Sequence, residues 1–250
     1  MEPIQVSAII FFCIFGGALL GMWLRGVLPK HHLDADTKDL IKLGVALIGT
    51  MSAMLLGLLV ASAKSAYDAQ RGELTQMAAN TILLDRVLAH YGPETGQARG
   101  LLKSTVAGML DRIWGKDGED ESASSPQTRN EILFDKIQEL VPQSDSQRAL
   151  KSQVESMAFN LGQMRWLLFA QGGSSISTPF LVVVVFWLST LFVSFGLFAP
   201  RNATAFFTLL ISALSVAGAL FLILELDHPF SGLIQISSAP LRNALAVLGR

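Results

Sequence analysis

The residue pattern predicts an all-α membrane protein, with four transmembrane helices and an α-helical bundle inserted between spans two and three. Three observations carry that expectation. Of 250 residues, 51% are hydrophobic and only 16% charged, and the mean hydropathy is +0.45, far from a water-soluble domain. Four charge-free stretches reach the ~20 residues that a bilayer crossing takes: Ile4 to Leu24, Leu43 to Ala63, Pro179 to Ala199 and Ala203 to Leu224. The third is the contrast between them: residues 64–178 hold 12 of the 19 basic and 14 of the 20 acidic side chains. The expected organisation is therefore 1–63 (spans one and two), 64–178 (bundle), 179–226 (spans three and four) and 227–250 (interfacial tail).

Span one follows "MEP", which places an acid where a secretory signal carries lysine or arginine, and its apolar core is too long for a signal, so a retained span is expected. Cys13 lies within it. A single cysteine excludes an internal disulfide, and the residue is expected to pack. Span two carries small residues every fourth position, at Gly49, Ala53, Gly57, Ala61 and Ser65, all on one helix face. Small side chains let helix backbones approach where lipid supplies no hydrophobic drive. Either the four-helix unit packs internally through this face, or it is a subunit interface. Gly17 and Gly21 form a shorter version in span one that could be its partner.

From Lys64 to Tyr91 the helical pattern continues in phase with span two, through Leu74, Met77, Thr81, Leu84 and Leu88. "YGPE" ends it, since Gly92 can take a left-handed cap and Pro93 opens a new helix. Two shorter amphipathic segments, Glu94 to Trp114 and Thr128 to Val141, flank the acidic "GKDGEDESASSP", where a mobile loop is expected. Residues 144–171 repeat the long-helix signature with Leu150, Val154, Met157, Leu161, Met164 and Leu168. The two long segments are each about 42 Å as helices, a match that predicts an antiparallel pair. Span three starts at "GGSSISTP", with Thr178 as expected N-cap and Pro179 at the first helical position.

Span four runs into "ELDHPFSG". Pro229 forces its predecessor out of helical geometry, so the group marks the membrane interface, with Phe230 as a headgroup anchor. An acid at a helix C-terminus opposes the helix dipole and needs a partner. Glu225, Asp227 and His228 therefore form a candidate polar cluster, compensated by His228 or a basic side chain, linked to Asp85 or Arg86, or holding a cation. The final "SSAPLRNALAVLGR" predicts a short amphipathic helix lying on the membrane, with Leu241, Leu245 and Leu248 on one face.

Other chemistries are absent or weak. The net charge of −1 offers no basic excess for nucleic acid. No nucleophile elbow, phosphate-cradling loop, dinucleotide fingerprint or zinc-protease helix occurs, so an enzyme is not expected and neither is a cofactor. "HHLDAD", His31 to Asp36, reads as a hydrated interfacial loop rather than a metal site. Asp117, Glu119, Asp120 and Glu121 lack calcium-loop spacing. No ionisable group stands at membrane depth, and the hydroxyls there are expected to bond back to their own helix.

"LIGTMSAMLLGLLVASAKSAYDAQRGEL", "ILLDRVLAHYGPET" and "ELDHPFSGLIQISSAPL" together resemble a bacterial integral-membrane family of unknown function labelled bestrophin-like. The resemblance extends over most of the chain, and its label implies an oligomeric anion channel. No segment aligns with the pore helices of true bestrophins, so no channel residue is carried over. The expected partners are the lipid bilayer and further copies of the chain in a bacterial plasma membrane. The alternative is a membrane-anchored scaffold or sensor whose bundle binds another protein. An even number of spans puts both termini and the bundle on one side. Arg25, Lys30, Lys38, Lys42 and Arg201 of the short loops outnumber Arg242 and Arg250, which favours an extracytoplasmic bundle. Adding the bundle flanks Lys64, Arg71 and Arg165 makes the count level.

Overall fold

In the computed structural model, residues 2–29, 35–115, 126–170 and 176–249 are described. Their regular elements are α1 (Pro3–Val27), α2 (Ala35–Tyr91), α3 (Gly96–Trp114), α4 (Pro126–Gln138), α5 (Asp145–Ala170), α6 (Thr178–Phe198), α7 (Ala203–Leu226) and α8 (Ala239–Val247). A single 3-10 turn, Pro93–Thr95, precedes α3, and no strand occurs among the described residues. The protein is all-α. Helices α1, α2, α6 and α7 are long and apolar enough to cross a membrane. The chain divides into two compact units, Met1–Tyr67 with Ser174–Ile234 and Asp68–Gly173 with Gln235–Arg250.

In the first unit α1 packs along α6 and α7. Its core is Ile10, Ile14 and Ala18 against Val184, Leu188, Phe192, Ala213 and Leu220. The approach of α1 to α6 is set by glycines on both helices. A methyl group at Gly17 would lie 2.9 Å from the Ser189 carbonyl oxygen. One at Gly21 would meet the Val193 carbonyl oxygen, and one at Gly196 that of Ala18. The glycines of span one thus face α6, not the small residues of span two. The reason is steric: with no side chain at these positions, the opposite backbone can come this close.

The same end of the pair is tied by charge. Arg25 donates to the Phe198 and Ala199 carbonyls at the end of α6, and Arg201 donates to Met22 in the last turns of α1. Each cation lies at a helix C-terminus, where orphan carbonyls accept it. Within the spans Thr50, Thr190, Ser194, Thr208 and Ser215 donate to carbonyls three or four residues back on their own helices. Cys13 departs from expectation, being exposed on α1 rather than packed. The α6 cap is Ser177 rather than Thr178, so Pro179 takes the second helical position instead of the first.

In the second unit the distal part of α2 and α5 run antiparallel, since Gln147 donates to the Tyr91 carbonyl while Asn80 reaches Met164. Gly92 ends α2 at φ 146, and Thr95 closes the turn by donating to the Leu88 carbonyl. Helix α4 packs on α3 and α5. Its C-terminal carbonyls, at Gln138 and Leu140, accept from Lys151. Leu74, Leu84, Leu88, Leu102, Ile137 and Val154 are buried here.

Helix α8 has a partner that the sequence reading did not assign. Leu241, Ala244 and Leu248 are buried, and α8 packs against α3. Lys103 donates to the Leu248 carbonyl and the Trp114 indole to that of Ile236. An apolar face nine residues long fits a helix groove as well as it fits lipid, and here the groove takes it.

Replacing Gly21 with valine should destabilise the first unit by about 3 kcal/mol, the upper range for overpacking, because the added carbons meet backbone that cannot rotate away. Thermal melting in detergent would measure it. The same change at Gly57, where a methyl group meets nothing within 4 Å, should leave the monomer's melting unchanged.

Candidate functional site

Helix α2 turns Ser52, Leu59 and Ala63 toward the core of its own unit. The stripe of small residues points elsewhere. Gly49 is half-buried, its added methyl group 4.0 Å from Leu191, whereas Ala53, Gly57, Ala61 and Ser65 are exposed. Among the described residues, internal packing therefore does not use Ala53, Gly57, Ala61 or Ser65. Beside the stripe runs a row that the sequence reading missed: Leu40, Leu43, Leu47, Met51, Met54 and Leu58, spaced three and four apart and all exposed, Met54 by 82%. Only 11% of the most apolar stretch of α2 is buried, against 28% in each of α1, α6 and α7. In a span where almost every residue is apolar, such a row has no polar background to stand out from.

The polar cluster after α7 divides into separate roles. Glu225 is 3% exposed, and its Oε2 accepts the backbone N–H groups of Leu233 at 2.6 Å and Ile234 at 3.3 Å. The loop reaches it through Gly232 at φ 85, where a side chain would strike the carboxylate. Main-chain donors are thus partners that this acid has in its own loop. His228 lies apart, its Nδ1 3.0 Å from the Leu224 carbonyl. Asp227 is buried, and its N–H closes the helix on Ile223. Among the described residues no group of three His, Cys, Asp or Glu could hold a metal. His31 to Asp34, and Asp117, Glu119, Asp120 and Glu121 with the loop around them, lie outside the described residues.

Asp85, weighed as a partner for that cluster, belongs to a different junction. It is 1% exposed and takes both guanidinium arms of Arg99, Nε at 2.8 Å and Nη2 at 2.9 Å, together with the N–H of Gly249. One carboxylate so joins α2, α3 and the end of α8. Burial alone would raise its pKa. The Arg99 hydrogen bonds, the Gly249 N–H and the charges of Arg99 and Arg86 outweigh burial and hold the group below its ordinary 3.8. Sequence reading had no signal for Arg99, fourteen positions away on another helix.

Comparison with protein families matches the Bestrophin-like domain over residues 12–241. Solved structures of a bacterial bestrophin homolog from Klebsiella pneumoniae share the fold. A tryptophan-to-alanine variant superposes with a TM-score of 0.69 at 14% identity, covering 100% of this chain and 99% of that one. A second structure gives 0.66 at 13% identity, covering 95% and 96%. Comparison with curated proteins finds no match.

The Asp85 junction predicts an acid-sensitive bundle. Its folded pKa lies below the unfolded value, so its stabilisation is fully present above pH 3.8 and is lost as pH falls through the folded value. Asp85→Asn should cost about 3 kcal/mol at neutral pH, because it removes the buried charge on which both arms of Arg99 converge. It should also flatten the acid limb of the melting curve, read by circular dichroism between pH 2 and 7.

Proposed function

The chain belongs to the bestrophin-like family, and we propose from that premise that it is a homo-oligomeric, channel-like protein of a bacterial plasma membrane. The observation that supports this reading is the bare face of α2. Small residues at Ala53, Gly57 and Ala61 let backbones approach, yet all three are exposed, and among the described residues a methyl group at Gly57 would meet nothing within 4 Å. Copies of the chain would close that face upon each other and bury the Leu40 to Leu58 row at or near the assembly axis. A closed ring is the arrangement in which one surface patch repeats without leaving an edge. With no ionisable group at membrane depth, the narrowest point of such a pore would be apolar and would gate by dewetting. No catalytic step is assigned to the protein.

Two measurements test the reading. Purified chain in nanodiscs should be a defined multimer and should pass ions when reconstituted in liposomes. Gly57→Leu should reduce both by more than about tenfold, the effect of 1.4 kcal/mol lost at the interface, while leaving the monomer folded. A monomer without flux, cross-linking instead to another protein through residues 92–143, would replace the channel reading with a scaffold or sensor. Sidedness is read by a C-terminal phosphatase or fluorescent-protein fusion. The short-loop charge count favours an extracytoplasmic terminus and bundle, hence phosphatase activity; fluorescence would put both in the cytoplasm.

A further inference from the structure

Helices α1 and α6 run parallel, Gly17 facing Ser189 and Gly21 facing Val193, so their C-termini reach the same end of the first unit. Arg25 donates there through Nη1 to the Phe198 and Ala199 carbonyls, and Arg201 donates through Nη2 to that of Met22. The Arg201 guanidinium occupies the space that a side chain at Gly26 would fill, which sets it beside the turn carrying Arg25. Both arginines are exposed. A guanidinium has five N–H donors. Among the described residues the other donors of each have no acceptor, and no carboxylate lies within ion-pair distance of either. The helix ends do not cancel this charge: each is worth about half a charge, so the two C-termini and the N-terminus of α7 leave a surplus of about +1.5. Phe206 and Phe207, in the opening turns of α7, are exposed. Phe206 meets Phe15 edge-on at 5.6 Å, and Phe15 stacks on Phe11 at 5.7 Å, a strip of rings that leads from the start of α7 down α1.

We propose that this corner of two arginines binds the phosphate of an anionic phospholipid, with one acyl chain lying along the rings of Phe206, Phe15 and Phe11. Two spans end here, at the depth where lipid headgroups stand, and basic side chains between membrane helices suit such headgroups. A phosphodiester presents oxygens to both guanidiniums at once and relieves the repulsion between them. A zwitterionic headgroup brings an ammonium beside its phosphate and restores that repulsion, which is why the lipid is assigned as anionic. The assignment is independent of ion conduction and of the number of copies in an assembly.

The test uses the full chain, stripped of lipid in neutral detergent and titrated with phosphatidylglycerol or phosphatidylcholine, the lipid bound per chain being counted by native mass spectrometry. Phosphatidylglycerol should bind at least about tenfold more tightly, the worth of one charge-assisted hydrogen bond. Arg25→Gln together with Arg201→Gln should bring it down to the level of phosphatidylcholine. Those changes also loosen the contact of α1 with α6, so a second variant keeps the packing and alters only the charge. Asn202 caps α7 by accepting the Ala205 N–H, and aspartate caps a helix equally well. Asn202→Asp should therefore keep the native melting temperature, yet place a carboxylate one residue from Arg201 and weaken phosphatidylglycerol about tenfold. Equal binding of the two lipids, unchanged phosphatidylglycerol binding by Asn202→Asp, or displacement of the lipid by millimolar inorganic phosphate would each overturn the assignment.

Discussion

Inside a bilayer, lipid tails are as apolar as leucine, so two helices stay together only where their surfaces come unusually close. The contact of α1 with α6 meets that condition at Gly17, Gly21 and Gly196, where carbonyl oxygens of the opposite helix occupy the space of absent side chains. The rest of the first unit follows from it. Ile14 and Ala18 reach Val184, Leu188 and Phe192 because the axes are near enough for short side chains to meet. Arg25 and Arg201 then tie the ends, each supplying positive charge where a helix exposes its last carbonyls.

Helix α2 has the same kind of residue and a different outcome. Its glycines and alanines are as suited to close approach as those of α1, but its own chain covers the opposite side, at Ser52, Leu59 and Ala63. An exposed leucine and methionine row suits lipid as well as protein, but the small-residue face beside it is a shallow surface that another helix backbone can approach closely. It is a good surface for a second copy, and that contrast is why the proposed assembly is built on α2.

Two buried acids organise the connections, and both do so through main-chain donors. Glu225 gathers the N–H groups of Leu233 and Ile234 after α7, and Asp85 takes that of Gly249 along with the Arg99 guanidinium. Buried backbone groups must find partners, so an acid near a loop is as readily a structural anchor as a reactive group. The carboxylates that looked most functional in the sequence thus hold the chain's turns in place.

The all-α class, the four spans and the bestrophin-like resemblance were determined by the sequence alone, because the length of a charge-free run and the phase of residues such as Leu84 and Leu88 are local properties. Partner choice was not. The apolar face of α8 at Leu241 and Leu248 has the pattern of a membrane-surface helix, yet it packs on α3. Gly17 and Gly21 could have matched span two but meet α6, and Glu225 accepts N–H groups of its own loop, eight and nine positions on, which no local pattern announces. Hydrophobic periodicity states only that a face avoids water. Lipid, a neighbouring helix and another copy satisfy it equally, and only the three-dimensional path of the chain decides among them.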